Sequence, residues 1–92
     1  MNINKATKYD VLTKTTQKYD RIRHHARKIA KEAGLLSTCQ ICGYSLYVEC
    51  AHKKSIESFD NNTLLIEIND IKNLAGLCKN HHWEYDHGHR SL

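Results

Sequence analysis

Residues 78–88 read CKNHHWEYDHG, and the two neighbouring histidines in that stretch decide what kind of fold the chain needs. Adjacent side chains on a helix point about 100° apart, so His81 and His82 cannot converge on one ion. Cys78 and His81 are three residues apart and can share a ligand set. His82 and Asp86 are four apart and share a helix face. Either one imidazole is idle or the segment serves two different sites.

The partner for the first pair lies upstream. Cys39-x2-Cys42 with Gly43 reads as a tight knuckle, and joined to Cys78-x2-His81 it has the composition of a closed tetrahedral zinc site. The 35 residues between the two pairs are more than a simple finger needs, so something substantial is inserted. A chain of 92 residues buries only roughly 60–65% of its unfolded surface and needs a staple. Zinc would supply one, because its binding free energy becomes folding free energy. Four cysteines could also form two disulfides. The opening MNINKATKYD has no apolar signal-peptide core, however, and no run approaches membrane-spanning length. A cytoplasmic location is expected, where thiols stay reduced and closely spaced cysteines hold metal.

The pattern around these ligands predicts a small α+β fold. Residues 1–14 look like a polar arm. From about Thr16 to Ala33 the positions Tyr19, Ile22, Ala26, Ile29, Ala30 and Ala33 recur at steps of three and four, one face of an amphipathic helix that Gly34 can cap. Leu46, Val48, Cys50 and His52 alternate with Tyr47, Glu49 and Ala51, a short strand ending near His52. Residues 53–72 read as a long polar loop with a turn at Asn61-Asn62, and loops of that length tend to be functional. LAGL at 74–77 suits a second strand, and Lys79 to Asp86 a helix stopped by Gly88. Two parts follow within one domain: residues 1–36, arm and basic helix, and residues 37–92, the knuckle with its strands and final helix.

Charge is uneven. Residues 1–34 hold nine Lys or Arg against three acids, and residues 35–92 five against seven. The basic third, with Lys18, Arg21, Arg27 and Lys28 on the helix, suits phosphate; a solvated helix face is the alternative. If His81 turns back to the zinc, His82 turns toward the strand carrying His52, and His82 with Asp86 belongs to a second, open metal site.

The order CQIC, VECAH, DIKNLAGLC, NHHWEYDHG over residues 39–88 resembles the HNH endonucleases, in their zinc-knuckle branch. The resemblance implies a ββα-metal core of two antiparallel strands and a helix around a divalent cation, and cleavage of phosphodiester bonds, usually in DNA. Position by position it implies His52 as general base, Asn73 as the amide that ties the loop orienting that base, His82 as metal ligand and Asp86 as a second ligand. Magnesium or manganese would be the expected catalytic ion, with Zn2+ structural. Lys53 and Lys54 follow His52 and could hold the phosphate.

This chain departs from the pattern at Ala51, where the family often has a ligating Asp or His, and in lacking the usual proline after the histidine. Fewer protein ligands imply a more weakly held cation. Bland roles also exist: Asp86 pairing with Arg90 or Lys79, His24 and His25 as surface or phosphate-contacting groups, His87 and His89 as tail residues or substitute ligands, Trp83 and Tyr85 as packing. The expected function is a DNA endonuclease of low specificity that nicks one strand unless it forms a homodimer. The competing reading is a zinc-stabilised nucleic-acid-binding module without cleavage, and a protein-binding zinc knuckle is a third.

Overall fold

The computed structural model describes residues 5–12 and 19–92. At its centre two five-residue strands, β1 (Val48–His52) and β2 (Leu74–Cys78), pair antiparallel, with Val48 opposite Cys78 and His52 opposite Leu74. Every residue of β2 is buried, which matches its apolar LAGLC sequence. Helix α2 (Asp20–Glu32) covers one face of the pair, and α4 (Lys79–Asp86), continuing directly from β2, covers the other.

The helical period of α2 works as its sequence implies. Ile22, Ala26 and Ala30 are fully buried at steps of four, and the two alanines let the helix lie close to Leu74 and Cys50. It runs from Asp20, after Tyr19 in a left-handed conformation (φ 69°); the earlier stretch from Thr16 that the periodicity includes lies outside the described residues up to Lys18. Ala33 is exposed rather than part of the buried stripe. Gly34, at φ 80°, closes the helix, and the next amide, Leu35 N–H, donates back to the Ala30 carbonyl at 2.9 Å.

The chain then crosses β2 at closest range. A Cβ on Gly76 would sit 1.9 Å from the Leu35 carbonyl oxygen, so only glycine permits the crossing. The knuckle follows at once. Gly43 N–H donates to Cys39 O and Cys39 N–H to Tyr44 O, both 2.8 Å, and Gln40 N–H fastens the turn to Gly76 O at 3.0 Å.

Two expectations fail here. Residues 8–12 are not part of a polar arm but form a helix, α1 (Lys8–Leu12), with Ala6 and Val11 buried. Residues 53–72 are not an irregular loop. They contain a 3-10 turn at Ile56–Ser58, a short helix α3 (Leu65–Ile68) and a second 3-10 turn at Ile71–Asn73. These segments meet: Ala6, Val11, Tyr19, Ile22, Ile56, Leu65 and Ile68 form one apolar cluster. Leu65 N–H donates to Ala6 O at 2.8 Å and Lys8 N–H to Thr63 O at 2.9 Å. Lys8 is itself buried, its Nζ satisfied by the Phe59 carbonyl at 2.7 Å. Two apolar residues five apart set no period, so the sequence pattern could not register α1.

No described helix is long and apolar enough to cross a membrane.

Candidate active site and metal centre

All four cysteines are free thiols. The knuckle and the β2–α4 junction bring Cys39, Cys42, Cys78 and His81 together, with one donor atom from each lying within 4.8 Å of all the others. His81 Nδ1 is 3.5 Å from Cys39 Sγ and 3.4 Å from Cys78 Sγ, and Cys42 Sγ is 3.9 Å from Cys78 Sγ. Donors about 2.0–2.3 Å from a shared tetrahedral ion sit roughly 3.5–3.8 Å apart, so the group could hold a metal such as zinc. Protonation points the same way. Burial pushes the Cys39 thiol up, but the N–H groups of Cys78, Cys42 and Ile41 and the His81 ring outweigh it and bring the group down to about 6. At Cys42 the Tyr44 N–H favours the thiolate, yet desolvation and the neighbouring Cys39 and Cys78 sulfurs prevail and raise it. One thiolate forms readily; further ones need a cation.

His82 faces elsewhere, as the 100° step requires. A cavity of about 270 Å³ is lined by His52, Cys50 and Glu49 from β1, by His82 and Asp86 from α4, by Arg23, Ala26 and Arg27 from α2, and by Ser55 and Ile56. In a two-stranded sheet β1 has a free edge. The cavity wraps that edge, so residues from both faces of the strand reach it. His82 Nδ1 lies 2.7 Å from Glu49 Oε1, and its Nε2 lies 3.3 Å from Asp86 Oδ2. The pair expected from the sequence, His82 with Asp86, is therefore present, and Glu49 joins it more closely.

His52 is held by Asn69. Its Nε2 is 2.7 Å from Asn69 Oδ1, while Asn69 Nδ2 donates to Ile22 O at 3.0 Å and lies 2.9 Å from His25 Nδ1. Burial is the largest influence on His52 and lowers its pKa below 6.5; the Asn69 bond opposes this, Arg23 and His82 lower it further, and Asp86 opposes. The group stays a neutral base at neutral pH.

Asn73 sits where the loop after His52 meets the start of β2. Its Oδ1 accepts from Lys54 N–H at 2.7 Å and its Nδ2 donates to Lys54 O at 3.2 Å and Ile68 O at 2.9 Å. From the other side Tyr85 donates its hydroxyl proton to the Lys53 carbonyl, so α4 also grips this loop. Lys53 and Lys54 are exposed, and the Lys54 ammonium lies 4.5 Å from the Phe59 ring centroid.

The cationic residues of α2 do not form one surface. Arg27, with Arg23, lines the cavity at His52, whereas Arg21 and Lys28 line a separate groove with Asp20, His24 and His25. Lys18 lies outside the described residues. His25 is not a free surface group, because it bonds Asn69. His87 and His89 stack on Trp83, at centroid distances of 4.1 and 5.7 Å. Trp83 is exposed rather than core, and Arg90 pairs with Glu84 at 2.9 Å instead of with Asp86.

Three cavity or support residues escaped the sequence reading: Glu49, Arg23 and Asn69. The i, i+4 spacing of Arg23 and Arg27 was a usable signal. For Asn69 there was none, since an Asn-Asp pair before a turn is ordinary. Comparison with known protein families, with curated proteins and with solved structures finds no match to this chain.

Proposed function

We propose that the protein is a metal-dependent endonuclease that hydrolyses phosphodiester bonds in DNA, built on a ββα-metal core with a structural zinc at Cys39, Cys42, Cys78 and His81. The observation that carries this reading is the convergence of His52, His82, Glu49 and Asp86 with Arg23 and Arg27 in one cavity at the edge of β1. A neutral imidazole, an imidazole–carboxylate ligand set and two guanidiniums are the groups that phosphate hydrolysis needs.

His82 through Nε2 and Asp86 would hold a hard divalent cation such as magnesium or manganese with water completing its shell, as the thiolate set fits zinc. Ala51 cannot ligate, and Glu49, on the other ring nitrogen at 2.7 Å, orients His82. Such a cation would neutralise charge on the scissile phosphate and the departing 3′ oxygen. His52 takes the proton of the attacking water, an act suited to a base kept neutral by burial. Asn73 and Tyr85 grip opposite edges of the Lys53–Lys54 peptide and so fix the chain as it leaves His52. Arg23 and Arg27 draw the phosphate in, and no described element resembles a base reader, which suits cleavage of low sequence specificity. One cavity per chain nicks a single strand; cutting both requires a second copy.

Incubation with supercoiled plasmid and magnesium or manganese tests the proposal. Wild-type protein should convert plasmid to the nicked form and His52→Ala should not. One observation favours a second reading, a zinc-stabilised nucleic-acid-binding module without cleavage: both ring nitrogens of His82 already face carboxylates, an arrangement complete without a cation. Plasmid that is bound but stays intact across both metals would support that reading instead.

A further inference from the structure

Asn69 is 1% exposed and sits between three partners that together leave its amide one orientation. The Ile22 carbonyl, 3.0 Å away, can only accept, so the atom facing it is the NH2 group. The amide oxygen then faces His52 Nε2 at 2.7 Å, and an oxygen can only accept, so Nε2 carries the ring proton. A neutral imidazole has a single N–H. Nδ1 of His52 is therefore left with its lone pair. The second hydrogen of the Asn69 amide points at His25 Nδ1, 2.9 Å away, which must accept and so also carries its proton on Nε2. All hydrogen-bonding capacity of the amide nitrogen is used, at a position where an unmet polar group would be costly.

We propose that Asn69 is a positioning residue that fixes which nitrogen of His52 is protonated, keeping Nδ1 free to receive a proton, and that it anchors this choice to α2 through Ile22 and His25. The lock on the ring follows from the geometry alone; its effect on rate rests on the reading of His52 as the general base. A base offered in the wrong tautomer is ineffective even when correctly placed. The arrangement also gives a role to the short helix Leu65–Ile68, which Asn69 caps. Leu65 and Ile68 are fully buried, and their packing delivers Asn69 to the one point where β1, α2 and α3 meet.

Long-range proton–nitrogen spectra of the full chain loaded with zinc, taken above neutral pH, read the tautomers directly. His52 and His25 should both be protonated on Nε2, and the His52 ring proton should exchange slowly with solvent. A His52 protonated on Nδ1, or a ring proton exchanging as fast as that of exposed His24, overturns the proposal. In Asn69→Asp the acceptor for His52 remains but the donor to His25 is gone. The slow His52 proton should persist while His25 moves its own proton to Nδ1; a His25 unchanged in this variant counts against the link. Asn69→Ala should lose the slow proton and cut plasmid nicking about tenfold or more, with the manganese concentration for half-maximal rate unchanged. Nicking equal to wild type in a folded Asn69→Ala protein would remove the positioning role. If wild-type protein does not nick at all, the nuclease reading fails while the spectra still decide the lock.

Discussion

His52 owes its lowered pKa first to burial, then to Arg23 and His82, against the opposing pull of Asn69 and Asp86. The acidic limb of the rate profile should therefore have its midpoint below the ordinary 6.5, with activity lost as pH falls through it. A limb centred at or above that value would contradict the assignment. His52→Ala should lower cleavage by about 10²–10⁴-fold while zinc content and the folded spectrum stay intact. His25 is lowered as well, chiefly by burial and then by Lys28 and His24. Unfolded chains protonate both rings near 6.5, before the folded ones do. The stability these two groups retain is thus complete above 6.5 and is lost as pH falls from there toward the folded values. Melting temperatures from about pH 8 to about pH 5 should fall less steeply for His52→Gln than for wild type, and parallel curves would refute this. At this scale the four sulfur-site residues were legible from ligand spacing and the direction of His82 from the helical step, both local geometry, whereas His52 was singled out by the resemblance. Glu49 was not legible, since strand alternation puts it on the face opposite His52, and only the exposed edge of β1 lets the two meet.

Between elements, the tightest fit is the passage of residues 35–36 over β2. Gly76→Ala forces a side-chain carbon against backbone, which cannot swing aside as a flexible side chain would. A loss of about 1–3 kcal/mol is expected, measured by denaturant unfolding with zinc present. An alanine variant as stable as wild type would mean the crossing can shift freely. Helix α2 and both strands could be read from the chain because each has its own period or an unbroken apolar run. Helices α1 and α3 could not. Each spans about one turn and offers only one or two apolar residues to the core, and those become meaningful only against each other. The supposed loop is instead a cap whose backbone is pinned by residues 6–9 on one side and by Asn73 on the other.

Among the described residues the apolar interior is divided into three small clusters, the largest of seven buried residues. One of them contains Cys39 and Cys78 beside Ala51 and Leu77, so two of the four residues that could hold a metal are also packing residues. A strong chelator should abolish cooperative thermal unfolding, and Cys39→Ser should do the same even with excess zinc; a sharp transition surviving both would show that the clusters suffice alone. Binding to DNA should weaken steeply with salt, and Arg27→Ala should reduce the slope of log affinity against log salt by about 0.9, equally for unrelated sequences. The separation of Arg21 and Lys28 from Arg23 and Arg27 was invisible in the charge count, which sums over a helix without regard to direction.

Helix α4 has no buried side chain, yet it presents His81, His82 and Tyr85 to three different tasks. Tyr85 packs on the Cys39 cluster and grips the Lys53 carbonyl, His82 meets Glu49, and a metal bound through His81 would be the helix's remaining fastening. Oxidants that convert the sulfur cluster to disulfide would thus do more than soften the protein. They would unlatch the wall bearing His82 and let go of the carbonyl next to His52, so that loss of one ion from a remote pocket would silence chemistry at the other. In a Cys50→Ala protein, freed of the thiol that lines the cavity, thiol reagents should accordingly still inhibit.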